Sequence, residues 1–505
     1  MPCDGYCSVC GLVDTRSRAA SRLAIFPRIK GYEMKYTRTV AALVGLAAII
    51  VIVAGLVLEQ HWHVFGGVVS LLTLAVALSR AADDQEKAAA AGNSTSSGPA
   101  FFARRKAKRA IDRDARLCKG LSEPEFVRWS TRFLRDLYGG CKENLVSVAD
   151  HEYAAVAYPA VSLPPHDRVP PQFPKEILKP PVRVLDSRKA TKEQADFLAL
   201  KTNAGKVREP DRPGFSLLEM RLDSFGRVSG LVTGMTNYGR TLVSCHILEV
   251  ELHREYLLAR RAGDAALGDF ARIAARLRNR QIYHEGSSTP GHALLRPGPR
   301  ADAMLSVQAI VCYRSPNLYQ QRAWKVLVTK RSEDTAVKPG FYQFQPSGGF
   351  EIPPGIDESL FVSQFDPLLT LFREYAEELF GHDEFGVGAM QVSSEDIRTQ
   401  PAVARLLEMV AHGTAWIDYL GVAIDLTLMR HELCFAITID DDGYVENSMK
   451  LGGFRGLEAA KGFEMYSVAE VIQLCANRNF VGSSVGLLYL ALQCERWKSM
   501  GVSSS

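Results

Sequence analysis

Two kinds of apolar pattern run along the chain, one continuous and one periodic. The continuous kind comes first: Val40 to Leu58 reads VAALVGLAAIIVIVAGLVL, with no charge, long enough to cross a bilayer as a helix. After the connection EQHWHVFGG a second run, VVSLLTLAVALS, ends at Arg80. Counted from about Trp62 to Ser79, this run is slightly short but predicts a second span, so residues 39–80 are expected to form a transmembrane helical hairpin. A cleaved signal peptide starting at Met34, or a buried hairpin in a soluble protein, is the alternative.

Beyond residue 100 the apolar positions recur with secondary-structure periods. FFARRKAKRAIDRDARLCKG reads as a basic helix. Around Pro124 to Tyr138, Phe126, Trp129, Phe133, Leu134 and Leu137 recur at helical spacing and predict a packed helix. GFSLLEMRL and GRVSGLVTGM read as short strands, and LVSCHILEVELHREYLLARR as a helix. Later, MLSVQAIVCYR and WKVLVTKRS read as strands, and GFYQFQPSGGF as a third that runs into a turn at Gly348 and Gly349. DPLLTLFREYAEELFG follows, with Asp366 as N-cap, Pro367 at the first helical position and Gly381 as C-terminal cap. Leu368, Leu371, Phe372, Tyr375 and Leu379 make its apolar stripe.

Polar and proline-rich breaks divide these elements. The expected organisation is a disordered cytoplasmic tail over 1–38, the hairpin over 39–80, and a tether with a basic helical segment over 81–157. A Pro-rich linker over 158–185, a small mixed α/β domain over 186–285 and a linker over 286–302 precede a C-terminal domain over 303–497. The fold class expected is α+β with a mixed sheet in the C-terminal domain.

Composition changes this picture little. The chain has 505 residues, 47% hydrophobic and 23% charged, with formal net charge +4, so no nucleic-acid partner is expected from charge. Its ten cysteines are scattered, as in a reducing compartment, apart from Cys3, Cys7 and Cys10. The C-x3-C-x2-C spacing of those three is also that of iron–sulfur ligands in radical enzymes, but the membrane-like run soon after favours a tail without a metal. A start at Met34 would remove them. Charge placement says more than charge total. Arg28, Lys30, Lys35 and Arg38 precede the first apolar run, Arg80 and Lys87 follow the second, and the connecting loop has neither Lys nor Arg. By the positive-inside rule both termini and the C-terminal domain are expected in the cytoplasm, on a protein with two spans. The basic stretch 104–119 would then lie near anionic lipid head groups, or be a solvated basic helix.

The candidate chemistry lies in one helix. Glu374, Glu377 and Glu378 stand at i, i+3 and i+4, a like-charge arrangement that costs a few tenths of a kcal/mol uncompensated. Arg373 relieves Glu377 at i+4 but cannot neutralise all three. Mg²⁺ or Mn²⁺ would, because hard divalent cations prefer carboxylate oxygens and keep waters that phosphate oxygens can replace. A solvated acidic face is the alternative.

REYAEELFG, Arg373 to Gly381, resembles the second half of the Nudix box, R-E-U-x-E-E-x-x-G with U a bulky apolar residue, and Gly348–Gly349 at a strand end resembles its opening glycine. The resemblance spans about 303–497 and implies a Nudix-like α/β/α sandwich that binds divalent metal and hydrolyses a pyrophosphate linked to a nucleoside. It implies Glu374, Glu377 and Glu378 as metal ligands, Gly349 as a backbone carbonyl ligand, and Arg373 as the residue orienting the glutamates. WIDYLGVAIDLTLM and HELCFAITID resemble the family's paired strands, FEMYSVAEVIQLC its late strand and helix, and SSVGLLYLALQCERW its closing helix. One half of the box departs from the pattern. Gly349 and Arg373 are 24 positions apart against about fourteen in the family, and Phe365 stands where a glutamate is expected. Glu351, Asp357, Glu358 and Asp366 are the candidates to replace it. Glu432 and Asp440–Asp442 are candidates for the general base.

Three readings follow. The first is a membrane-anchored hydrolase of a nucleoside diphosphate derivative. The second is a nucleotide sensor of the same fold, weakly active or inactive, coupled to the hairpin as in signalling or defence effectors. In the third, the hairpin and basic helix act and the fold serves as an oligomerising scaffold.

Overall fold

The computed structural model describes residues 99–161, 178–179, 190–207, 209–316, 322–332, 335, 337–354, 356–382, 394–451, 453, 459–477 and 479–502. The N-terminal cysteines, the 39–80 hairpin, nearly all of the tether and most of the Pro-rich stretch lie outside the described residues. Among the described residues no helix is long and apolar enough to cross a membrane. Residues Ala100–Ser505 gather into one compact unit.

The principal sheet has nine strands. Its path is β1 (Leu145–Val148), β2 (His151–Pro159), β10 (Ala415–Asp425), β11 (Arg430–Ile439), β6 (Ser306–Pro316), β7 (Arg322–Arg331) and β12 (Ala459–Tyr466). Two short strands, β8 (Tyr342–Gln343) and β9 (Ser347–Gly349), pair with β7 and β6 respectively. The β11–β6 pair is parallel and its neighbours are antiparallel, so the sheet is mixed. The single strand expected over GFYQFQPSGGF is in fact these two, because Gln345–Pro346 separates them and a proline nitrogen cannot donate to a ladder.

Strand alternation divides the core in two. On one face Val307, Ala309, Val311, Leu327, Leu433, Phe435 and Ile437 pack with Leu368, Leu371, Phe372, Tyr375 and Leu379, the predicted stripe of the glutamate helix. On the other face Ile310, Cys312, Val326, Val328, Cys434 and Ala436 pack with Val471, Val485, Leu488 and Trp497 from the C-terminal helices. Helices therefore cover both faces, and the architecture is α+β.

The N-terminal half of the described chain is built into this body. Helix α1 (Pro99–Leu121) precedes α2 (Pro124–Leu137), which buries Phe126, Trp129, Phe133 and Leu134 as its periodicity predicts. Strand β2 pairs residues 155–159 with residues 421–425 of β10, so a strand from before the Pro-rich stretch extends the C-terminal sheet. The segment after that stretch contributes α3 (Lys192–Asn203) and the strands β4 (Pro213–Leu222) and β5 (Val228–Asn237). Strand β3 (Leu178–Lys179), from within the stretch read as a linker, pairs with β5 to make a three-stranded sheet of order β3, β5, β4. Helix α4 (Ile247–Ala262) follows through a π turn. Residues 286–302, read as a linker, contain a helix over Pro290–Leu295 with Ala293 and Leu294 buried. Ahead of it, the buried Arg280 donates to the carbonyls of Leu426 at 2.9 Å and Thr427 at 3.1 Å, satisfying the β10–β11 turn.

Candidate active site

The glutamate helix begins as predicted. α5 (Pro367–Glu374) is capped by Asp366, whose carboxylate accepts from the amides of Leu368 and Leu369, and Pro367 occupies its first turn. The continuation differs from a plain α-helix: Tyr375–Leu379 forms a π turn, and Gly381 follows with φ +65°. A π turn widens the spiral at the point where the glutamates project, a form that recurs at functional sites.

Helix and glycine turn meet despite the residues inserted between them. Glu378 accepts the Ser347 amide at 2.6 Å and the Gln345 side-chain amide at 2.9 Å, which ties it to β9. Glu374 lies directly over Gly348. A Cβ there would come within 1.9 Å of the Glu374 carboxyl carbon, so only glycine permits this approach. The buried Arg373 donates to the carbonyl of Glu351 at 2.9 Å, the carbonyl of Gly349 at 3.0 Å and Oε1 of Glu374 at 2.7 Å. Burial works to depress the Arg373 pKa, but Glu374 and Glu377 outweigh it, and the guanidinium is held above its ordinary value. Glu377 itself is partly exposed.

Of the four candidates for the missing carboxylate, one is at the site. Glu351 faces Arg212 at 3.3 Å. Burial raises its pKa, with Arg212 and Arg373 pulling down and Glu374 pushing up, so it shares the field of the cluster. Asp357 instead caps a short helical turn through Ser359, Glu358 is exposed in that turn, and Asp366 is spent on the N-cap of α5. Phe365, where the family pattern has a glutamate, is half-buried and packs its ring, tilted, against Phe215 and Phe350 at 4.9 and 5.2 Å, which ties it to the core.

Neither candidate general base is brought to the glutamates, though Asp441 lines a small pocket with Tyr375 and Phe380. Glu432 is level with the glycine turn, since it pairs with Ser306, which pairs with Gly349. Its side chain, however, belongs to the opposite sheet face with Cys434 and Ala436, and it faces Ser483 of the C-terminal helix. Burial raises its pKa. Asp440–Asp442 lie at the other end of β11, about eight residues or roughly 26 Å along the strand from Glu432. With Arg405, Met409, His412 and Thr414 they line a separate open groove of about 460 Å³.

The donor set of three carboxylates and one carbonyl has the chemistry of a Mg²⁺ or Mn²⁺ site, and the cleared space at Gly348 suits a crowded one. As they stand, Arg373 engages Gly349 and Glu374 while Ser347 and Gln345 engage Glu378. Among the described residues no group of three or more His, Cys, Asp or Glu is gathered as a metal site. Sequence reasoning missed Gln345, Ser347 and Arg212. Gln345 and Ser347, polar residues just before the glycines, were the readable sign that this stretch offers hydrogen-bond donors to the helix. Arg212, 139 positions from its partner, carried no local sign.

No family model matches the chain, and no curated protein matches it. Among solved structures, the crystal structure of a NUDIX hydrolase from Alicyclobacillus acidocaldarius is similar over 40% of this chain and 96% of that one. The identity is 14% and the TM-score 0.21, a score at which two chains need not share a fold.

Proposed function

We propose that this chain is a Nudix-type hydrolase that cleaves the pyrophosphate of a nucleoside diphosphate derivative, with Mg²⁺ or Mn²⁺ held by Glu374, Glu377, Glu378 and the Gly349 carbonyl. The observation that carries the reading is the docking of Glu374 and Glu378 onto the glycine turn across 24 and more intervening positions. A merely solvated acidic face would have no reason to bury its carboxylates against a glycine turn. A divalent ion so held supplies Lewis-acid polarisation of a phosphoryl oxygen. The protein's own part is to fix the donors. Arg373 ties Glu374 to the turn, the Ser347 amide and Gln345 orient Glu378, and Gly348 leaves the room that the Glu374 carboxylate fills.

The same hydrogen bonds favour a second reading, a nucleotide sensor with little or no turnover, because Arg373 already occupies two of the proposed donors. One experiment separates the two. The full chain in detergent is offered a panel of nucleoside diphosphate derivatives with Mg²⁺ or Mn²⁺, beside Glu377→Gln and Glu378→Gln. The hydrolase reading expects metal-dependent turnover that falls at least about 100-fold in either variant, more than loss of an outer-shell partner costs. Ligand binding with no turnover of any compound would leave the sensor.

Anchoring through residues 39–80, with the catalytic body in the cytoplasm, belongs to the same proposal and rests on the apolar runs and flanking cations. The full-length chain is expected in the membrane fraction, released by detergent and not by high salt. Recovery in the supernatant without detergent would refute the hairpin.

A further inference from the structure

We propose that Arg212 and Glu351 form a positioning pair by which the segment before the C-terminal sheet holds the glutamate site in shape, an inference that rests on the metal-site reading above.

The backbone makes the first half of the case. Strand β4 is not confined to its own small sheet. The Phe215 amide donates to the Phe350 carbonyl at 3.1 Å, and the Ile352 amide to the Pro213 carbonyl at 2.8 Å. Further along the same edge of β4, the Leu305 amide donates to the Phe215 carbonyl at 2.8 Å, and the Leu217 amide to the Ala303 carbonyl at 3.2 Å. The Phe350 amide also donates to the Leu305 carbonyl at 3.0 Å, so the stretch directly after the glycine turn is bonded both to β4 and to the chain entering β6. The contact is close: a Cβ on Gly214 would fall 2.6 Å from the Phe350 carbonyl oxygen.

The side chains make the second half. Arg212 immediately precedes β4. Its Nε and Nη2 donate to Glu209 at 3.0 and 2.8 Å, which aims Nη1 at Glu351, 3.3 Å away. Glu351 in turn presents its carbonyl to Arg373, and Arg373 joins that carbonyl to Gly349 and Glu374. The path Arg212, Glu351, Arg373, Glu374 thus crosses from the earlier segment to the site in three contacts. Both members of the pair are mostly covered, with side-chain exposures of 15% and 24%, so their attraction is less screened than that of a surface pair. Without Arg212, the mostly covered Glu351 carboxylate would lose the cation that stands 3.3 Å from it. Swinging that carboxylate outward would move the carbonyl that seats Arg373, and with it Glu374.

Arg212 touches neither metal nor substrate in this account; it acts through Glu351. The test is Mn²⁺ titration followed by electron paramagnetic resonance on the full chain in detergent, with thermal unfolding of each variant recorded alongside. Arg212→Gln is expected to weaken Mn²⁺ binding about 10–100-fold, the range typical of an outer-shell partner, and Glu351→Gln to match it. Arg212→Lys recovers part of the loss, because it keeps the charge but not the fork that spans Glu209 and Glu351. Arg227→Gln is the control. It breaks another ion pair of the β4–β5 hairpin, with Asp223 at 2.8 Å, and leaves binding unchanged. Wild-type affinity in folded Arg212→Gln overturns the positioning pair and leaves the metal site standing. Should Arg212→Gln fail to fold, Arg212→Lys and Glu351→Gln decide in the same way. A wild-type chain that binds no Mn²⁺ overturns the metal reading, and the pair's role with it.

Discussion

Alanine at Gly348 is expected to remove at least about 100-fold of metal-dependent turnover and of Mn²⁺ affinity while the protein still folds. The added Cβ would sit 1.9 Å from the Glu374 carboxyl carbon and 2.1 and 2.3 Å from its oxygens. Those atoms end a flexible side chain, so the clash is relieved by rotating Glu374 away, and the backbone of β9 need not move. Rotation, though, breaks the 2.7 Å bond to Arg373 and displaces the carboxylate that lies over Gly348. Stability should therefore change by little, since alanine also restricts the unfolded chain. The neighbouring glycine supplies the contrast. A Cβ on Gly349 would meet the Met304 sulfur at 3.1 Å and the Glu351 Cγ at 3.6 Å, both parts of flexible side chains, and the Gly349 carbonyl would stay in place. Gly349→Ala should keep most of the activity. Steady-state kinetics and Mn²⁺ titration of the two variants, with melting curves to confirm folding, read the difference. If Gly348→Ala turns over like the wild type, Glu374 is not part of the machinery.

That contrast shows where the site was readable from sequence and where it was not. Local rules sufficed for the helix: Asp366, Pro367 and the apolar stripe placed α5 and its buried face. They sufficed also for β6, β7, β10 and β11, whose β-branched and aromatic residues alternate between two cores. The π turn over Tyr375–Leu379 escaped them, because i, i+4 spacing assumes the α spiral that the turn abandons. The identity of the carboxylate beside Arg373 escaped them too. Glu351, Asp357, Glu358 and Asp366 are chemically equivalent on paper and differ only in which backbone they are mounted on. Least legible was the union of segments. Linker-like composition near 158 and 286 marks where the chain is polar and proline-rich, yet β2 still reaches β10, and β4 still reaches Phe350. Such contacts depend on surfaces that no window of sequence displays.

The second large effect concerns how α1 is fastened. Helix α1 carries Arg104, Arg105, Lys106, Lys108 and Arg109 on exposed or half-exposed positions, but near its C-terminal end Asp114 is 1% exposed. Its partner is Lys201 of α3, itself 4% exposed, with Nζ 2.8 Å from Oδ1. Lys201→Met should destabilise the protein by about 3–5 kcal/mol, because the remaining carboxylate would be buried without a counter-charge. The double variant Asp114→Leu with Lys201→Met should regain most of that, since replacing both members of a buried pair by apolar groups of similar size is often neutral or better. The loss should also be local before it is global. Leu117 and Leu121 pack against the main core only at its margin, so the amides of residues 114–121 should exchange with solvent faster than those of α2. Denaturant unfolding of the two variants, with amide exchange read by mass spectrometry, tests both parts. An unchanged midpoint in Lys201→Met would mean that α1 is held by apolar contacts alone. If the double variant is as unstable as the single one, the cost lies in packing lost at Lys201 and not in the stranded charge. The buried Asp114–Lys201 pair thus joins α1 to α3, beside the apolar contacts of Leu117 and Leu121.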